Sequence, residues 1–384
     1  MKKRVYLDHA ATTPVSRPVL DVMMPFFENI YGNASSVYGT GREARKAIEK
    51  ARRQVADAIG AEAREIIFTS GGSESDNLAV QGTAFGLSEQ GRHIITTAIE
   101  HPAVLNTCRW LEKHGFEVSY VNPGKDGRVS AEDIRKEIRK DTILISVMTA
   151  NNETGMLQPV EEIGAEARER NIVFHTDAVQ AIGSIPVNIN ENGADLLSLS
   201  GHKFYGPKGI GALYVRKGSR LDPLIHGGEQ ERGLRAGTEN TAAIAGLGMA
   251  IETAVHNQTE NAERMAKLRN RLTEGILRHV PDTRLNGSPE NRLPNNCNIA
   301  FQRIDGEALL LRLDLAGIEA SGGSACTSGS REISHVLTAM GLTGEEAKGS
   351  LRFTTGPENT EEEIDYTIAT VKEIITDLRS LYHG

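Results

Sequence analysis

From about residue 40 to about residue 215 the chain alternates helix-like and strand-like segments, an order that few architectures accommodate. Arg42 to Ile59, Glu74 to Leu87, Ala103 to His114, Ala131 to Arg139 and Val160 to Arg170 carry apolar residues at helical spacing. Between them, Glu65 to Thr69, His93 to Ala98, Phe116 to Val121, Thr142 to Met148, Ile172 to His175 and Leu196 to Ser200 are short and strand-like. The pattern predicts an α/β fold, a large domain whose mostly parallel sheet is flanked by helices. Thr241 to His279 then predicts one long helix, interrupted by Gly246 and Gly248, that bridges to a second domain. Strand-like Asn298 to Phe301 and Ser350 to Thr354, with helical Gly306 to Ala316, Ser334 to Met340 and Glu361 to Leu381, predict a small α+β domain. The expected division is 15–255 for the large, cofactor-binding domain and 1–14 with 256–384 for the small one.

In a parallel sheet ligands gather beyond the carboxyl ends of the strands, so the residue after each strand matters. Leu196 to Ser200 runs into Gly201-His202-Lys203 and a Gly/Pro-rich turn, which holds one primary amine at a buried strand end. An amine placed there can be partly desolvated and can condense with an aldehyde, although a lone loop lysine is ordinarily a solvated one. Glu65 to Thr69 runs into Ser70-Gly71-Gly72-Ser73, a phosphate cup built from glycine amides, a hydroxyl and a helix N-terminus. The same residues also read as an ordinary capping box from Ser73 to Asp76. Ile172 to His175 ends at Asp177, an acid that needs a cation at a buried strand end or else caps a helix. His101 follows another strand, and the amides Asn151 and Asn152 follow a third. A phosphate cup, a flat imidazole, an amide, an acid and an amine together suit one ligand, pyridoxal phosphate.

Composition narrows the alternatives. With 43 basic and 51 acidic residues in 384, a formal net charge of -8 and no basic stripe, nucleic acid is not an expected partner. Met1 to Arg4 is basic but runs into Asp8 and His9, so no secretory leader is expected. No apolar run reaches the roughly 18 residues that a membrane span requires. Three cysteines, Cys108, Cys297 and Cys326, without a pairing pattern, point to individual thiols in a reducing compartment, the cytoplasm. The phosphate cup has no Gly-Lys-Ser/Thr ending, which argues against the nucleoside-triphosphate loop.

These motifs resemble the cysteine desulfurases of the NifS/IscS family, class V aminotransferase-like enzymes of fold type I. The resemblance runs nearly end to end: Tyr6 to Pro14, Gly32 to Ser36, Phe68 to Asn77, Glu100 to Pro102, Asn151 to Gly155, His175 to Gln180, Ser200 to Gly211, Glu231 to Thr238, Gly322 to Ser328 and Leu351 to Phe353. It implies that Lys203 binds the cofactor covalently, Asp177 pairs with the ring nitrogen, Gln180 and Asn152 bond the phenolic oxygen, and His101 stacks on the ring and takes part in catalysis. Gly72, Ser73, Ser200 and His202 would hold the phosphate, with Thr238 reaching in from the second subunit of a homodimer. Arg352, with Asn33, would take the substrate carboxylate; a guanidinium does so in a bidentate pair. Gly72-Ser73 stands where Ala-Thr is common, Ala34 where proline is frequent and Tyr38 where histidine is frequent, and none of these removes a required group.

Cys326 lies in Ser321 to Ser330, ten residues almost wholly Gly, Ser, Ala and Thr, with no apolar side chain large enough to anchor them. Cys108, beside Trp110, and Cys297, beside a strand, read instead as inert packing thiols. The implied reaction takes L-cysteine to L-alanine and leaves sulfur on Cys326 as a persulfide, for an iron–sulfur scaffold protein as acceptor. No fixed metal site is expected, Cys326 being at most a transient iron–sulfur ligand. A selenocysteine lyase or a class V aminotransferase is the nearest alternative, and a non-catalytic sulfur or cluster scaffold the alternative from another class. Thr154-Gly155, the run Arg235 to Asn240 and the lack of a long C-terminal tail suggest the nitrogen-fixation branch.

Overall fold

The computed structural model describes residues 4–322 and 333–381. Its strands in chain order are β1 (Val5–Tyr6), β2 (Ile66–Thr69), β3 (His93–Thr97), β4 (Glu117–Val121), β5 (Thr142–Ser146), β6 (Val173–Asp177), β7 (Leu196–Ser200), β8 (Gly211–Val215), β9 (Thr283–Leu285), β10 (Asn296–Phe301), β11 (Ile318–Glu319) and β12 (Ser350–Thr354). Among the described residues one seven-stranded sheet has the order β2-β8-β7-β6-β5-β3-β4. From β7 to β4 every pairing is parallel, with a helix packed between successive strands; β8 is antiparallel to both β7 and β2. The chain is thus the expected α/β fold with a mostly parallel sheet.

Burial on both faces follows from the strand sequences. In β3 and β5, Ile94 and Leu144 pack with Cys108 and Leu111 on one face, while Ile95 and Ile145 pack with Phe174 on the other. Each such side chain contributes roughly 1.5–3 kcal/mol by leaving water. A second core lies around the antiparallel sheet β12-β10-β9, where Ile299, Phe301, Leu351 and Phe353 meet Leu272 and Ile276 of the helix Gln258–His279 and Val371 and Ile375 of the helix Glu361–Leu381. β1 joins that core by pairing parallel to β11, so the N-terminal segment is tied to the small sheet.

Two readings change. The stretch Thr241 to His279 is two helices, Thr241–His256 and Gln258–His279, with Asn257 at φ -95° and ψ 5° between them. The short amide side chain of asparagine competes with helix bonding, and the chain turns there rather than at the glycines. Gly248 instead lets two helices touch: a Cβ there would stand 2.7 Å from the Ala51 Cα of the helix Gly39–Ile59. β8 was not anticipated, because it returns from β7 through a glycine-rich turn without a crossover helix, which makes it antiparallel. Its first residue, Gly211, lies so close to Leu199 O and the Gly71 backbone that a Cβ would stand 2.6 Å and 2.8 Å from them. Among the described residues no helix is long and apolar enough to cross a membrane.

Candidate active site

A cavity of about 350 Å³ opens beyond the carboxyl ends of β5, β6 and β7. Ten of the residues singled out from the sequence line it: Gly72, Ser73, His101, Asn152, Asp177, Gln180, Ser200, His202, Lys203 and Arg352. They come from separate strand ends and loops of two sheets, and the tertiary fold brings them together. Thr238 lines a different cavity, with Ser70, Gly209 and Gly237, and Asn33 is exposed, its side chain accepting the Ser35 amide at 2.9 Å. Within one chain neither reaches the first cavity. Cys326 lies outside the described residues.

Lys203 ends a short helical turn that follows β7. Its Nζ donates to the carbonyls of Ala10 and Ala11, at 2.5 and 2.9 Å, so the N-terminal segment fixes the amine. Gln180 Nε2 donates to the same Ala10 carbonyl at 3.0 Å. Asp177 closes β6 and is nearly buried; one carboxylate oxygen accepts the Val179 amide at 2.9 Å. No helix begins after it, so the helix-cap reading fails. Burial pushes its carboxyl up to about 6, against the Val179 bond and the Lys203 charge, which favour the anion.

The helix Gly72–Gly86 starts with Gly71 as its N-cap and no side-chain cap, so the Ser73 to Asp76 capping box is not formed. Its first amides are therefore left for a ligand anion, beside Ser73, Ser200 and His202. His202 Nδ1 lies 3.1 Å from Thr12 Oγ1, and burial with the nearby Lys203 pulls its pKa down to about 4. His101 caps the helix Pro102–Glu112: Nδ1 accepts the Ala103 amide at 3.1 Å. Burial, Lys203 and His335 pull its pKa down to about 4, so the ring is neutral near pH 7 and its proton sits on Nε2. Arg352, in β12, is buried; Nη2 bonds Asp8 Oδ1 at 2.7 Å and Nη1 bonds the Asn152 carbonyl at 2.9 Å.

Asp76, Glu153, His335, Ala10 and Ala11 are among the lining residues that the sequence reading did not single out. His335 follows the N-cap Ser334, whose hydroxyl donates to Glu153 Oε2 at 2.5 Å, and its own Nε2 lies 3.0 Å from the Glu100 carbonyl. Ser334 preceding an apolar helical run was the only local signal, and it speaks of a cap rather than of a site.

The donor set fits pyridoxal phosphate. An uncapped helix N-terminus with two hydroxyls suits a phosphate, a buried carboxylate suits a protonated ring nitrogen, and a fixed amine suits an aldehyde.

The family model for aminotransferase class-V matches residues 5–367. The chain is 53% identical over 381 residues to the cysteine desulfurase IscS of Dictyoglomus turgidum, covering 99% of this chain and 97% of that one. It is 54% identical over 379 residues to the cysteine desulfurase IscS of Methanosarcina thermophila, covering 99% and 94%. A solved NifS-like protein superposes with a TM-score of 0.92 at 42% identity, covering 97% of this chain and all of that one. The NifS-like protein from Rickettsia africae superposes with a TM-score of 0.88 at 34% identity, again covering 97% and 100%. Strand ends that converge on an amine and a buried acid, together with likeness over almost the whole chain, place this protein in the class-V aminotransferase family, among its pyridoxal-phosphate-dependent cysteine desulfurases.

Proposed function

We propose that this chain converts L-cysteine to L-alanine and carries the sulfur as a persulfide on Cys326 to an iron–sulfur scaffold protein. The observation that carries the reading is the convergence of Lys203, Asp177 and Arg352 on one buried cavity in a chain of this family. Bound pyridoxal phosphate supplies an electron sink for the pair released when the substrate α-proton leaves. Gly72, Ser73, Ser200 and His202 hold its phosphate, Asp177 keeps its ring nitrogen protonated, and Asn152 and Gln180 bond its phenolic oxygen. His101 covers the ring and, with its proton on Nε2, serves as a hydrogen-bond donor rather than a base.

Arg352 orients the substrate carboxylate, and Lys203 Nζ takes the α-proton. The Cys326 thiolate attacks the substrate sulfur: a new S–S bond forms and the carbon–sulfur bond breaks. The electron pair stays with the carbon fragment, which is protonated to alanine. The sulfur on Cys326 then passes to the acceptor by thiol exchange.

Two observations support a homodimer with shared sites. Asn33 and Thr238 lie outside their own chain's cavity, and Phe27, Tyr31, Val37 and Tyr38, 63%, 77%, 86% and 55% exposed, leave an apolar stretch beside Asn33. The two separate cores support 15–255 as the cofactor-binding domain and 1–14 with 256–384 as the domain that carries Cys326. Cys108 and Cys297 are buried free thiols, which supports a cytoplasmic setting.

The test is a single turnover of the holoenzyme with L-cysteine and no reductant, followed by mass spectrometry and alanine assay. One alanine and one added sulfur on Cys326 are expected per site, and Lys203→Ala should give neither. Sulfur on Cys108 or Cys297, or alanine from Lys203→Ala, overturns the reading.

A further inference from the structure

Asp76 lies in the second turn of the helix Gly72–Gly86 and lines the cavity with Asp177, yet the reading above gives it no role. It is 1% exposed, and its Oδ1 has no hydrogen-bond partner among the described residues. The nearest basic group is His175, whose Nε2 stands 3.6 Å from that oxygen. His175 cannot serve as a counter-cation. Its Nδ1 lies 2.8 Å from Ser146 Oγ and its Nε2 3.0 Å from Ser198 Oγ, and burial pulls its pKa down to about 3. Ser146, His175 and Ser198 stand side by side on β5, β6 and β7, so a neutral chain of hydroxyl, imidazole and hydroxyl runs beneath the cavity floor.

Of the other groups facing Asp76, the Ser198 hydroxyl on β7 hydrogen-bonds its carboxyl and favours the anion, and the rest are acids. Asp177 comes from β6 and acts against an anion at Asp76, as does Glu100, from the loop after β3, whenever it is ionised. The Lys203 charge favours the anion at Asp177. The helix N-terminus would help a carboxylate, but that effect fades within the first turn, and Asp76 is the fifth residue of its helix. Two carboxyls buried in one floor cannot both ionise at modest cost.

We infer that Asp76 is a positioning residue, a neutral carboxylic acid in the cavity floor that leaves the negative charge of the Asp76–Asp177 pair on Asp177. The consequence bears on the cofactor reading, on which it rests. A ring nitrogen meets one fixed anion, and Asp76 shapes the floor without adding a second charge. Burial raises the Asp76 pKa, in the same direction.

The test compares the electrophoretic mobility at pH 7 of wild-type holoenzyme, Asp76→Asn and Asp57→Asn, Asp57 being exposed on the helix Gly39–Ile59. Asp57→Asn should shift the mobility by one charge and Asp76→Asn by none; a full one-charge shift for Asp76→Asn overturns the inference. Because Asp76→Asn preserves the charge, it should hold pyridoxal phosphate within about threefold of wild type, whereas Asp177→Asn should weaken it by about tenfold or more. A tenfold loss for Asp76→Asn also overturns the inference. Should Asp76→Asn not fold, infrared spectra of wild-type holoenzyme carrying carbon-13 aspartate decide. A neutral-acid carbonyl band at pH 7 supports the inference and its absence overturns it. Failure of pyridoxal phosphate to bind wild-type protein would instead sink the cofactor reading, and mobility would still report the state of Asp76.

Discussion

Arg352 Nη2 lies 2.7 Å from Asp8 Oδ1, so the guanidinium that faces the cavity from β12 is held by the N-terminal segment. Lys203 is bonded to Ala10 and Ala11 of that same segment, which ties the proposed carboxylate clamp and the amine to one piece of backbone. Lysine cannot copy this arrangement, because its ammonium has no planar fork. Arg352→Lys should leave the visible absorbance of the bound cofactor unchanged and weaken L-cysteine binding by about 10- to 100-fold, the worth of one or two charge-assisted bonds. A spectral titration with L-cysteine checks it.

His101 carries two functions that substitution can separate. Its Nδ1 caps the helix Pro102–Glu112 and its ring lines the cavity. Asparagine can keep the cap but offers no ring. His101→Asn should stay within about 0.5 kcal/mol of wild-type stability, whereas His101→Ala should lose about 1 kcal/mol, and both should lose most turnover. Urea unfolding beside an alanine-release assay measures the two effects.

Glu100 has no solvent exposure; Thr97 Oγ1 and the Met148 amide bond its Oε1 at 2.7 and 3.0 Å, while Oε2 has no partner among the described residues. Burial raises its pKa from 4.5 to about 8 in spite of those bonds. The folded chain therefore holds a proton that the unfolded chain releases, and this contribution to stability is complete below about pH 4.5 and lost as pH rises through about 8. Glu100→Gln mimics the neutral acid. Its stability relative to wild type should improve between pH 5 and pH 8 by on the order of 3 kcal/mol, read from denaturant midpoints of the cofactor-free protein.

Arg52 and Glu231 form a buried bidentate pair at 2.6 and 2.8 Å, and Glu231 Oε2 also accepts the Phe68 amide at the end of β2. Glu231 holds this position with φ 45°, in the left-handed region. Removing one partner strands the other charge inside. Glu231→Ala should cost about 3–5 kcal/mol, and the double variant Arg52→Met with Glu231→Leu should recover much of it. Thermal unfolding at fixed protein concentration tests both.

The alternation of segments between Arg42 and Ser200 was enough to predict the parallel sheet, because apolar periodicity and strand burial are local properties of the chain. It was also enough to mark Lys203, Asp177 and His101, since a polar residue just past a buried strand is visible in sequence. Asn257, at the break between two helices, was not legible, as one asparagine in an otherwise helical pattern carries little weight against its neighbours. Nor was β8, whose direction depends on pairing with both β7 and β2.

What tertiary structure alone decided was distance across the chain. Asp8 reaches Arg352 and Ala10 reaches Lys203 only because β1 pairs with β11 and carries the N-terminal segment over the cavity. Asp76 looked like part of a helix cap until the helix began at Gly72 and turned that carboxyl inward, beside Asp177. Periodicity records which face of an element is buried. It does not record which polar groups are buried together, and that depends on the packing of elements far apart in sequence.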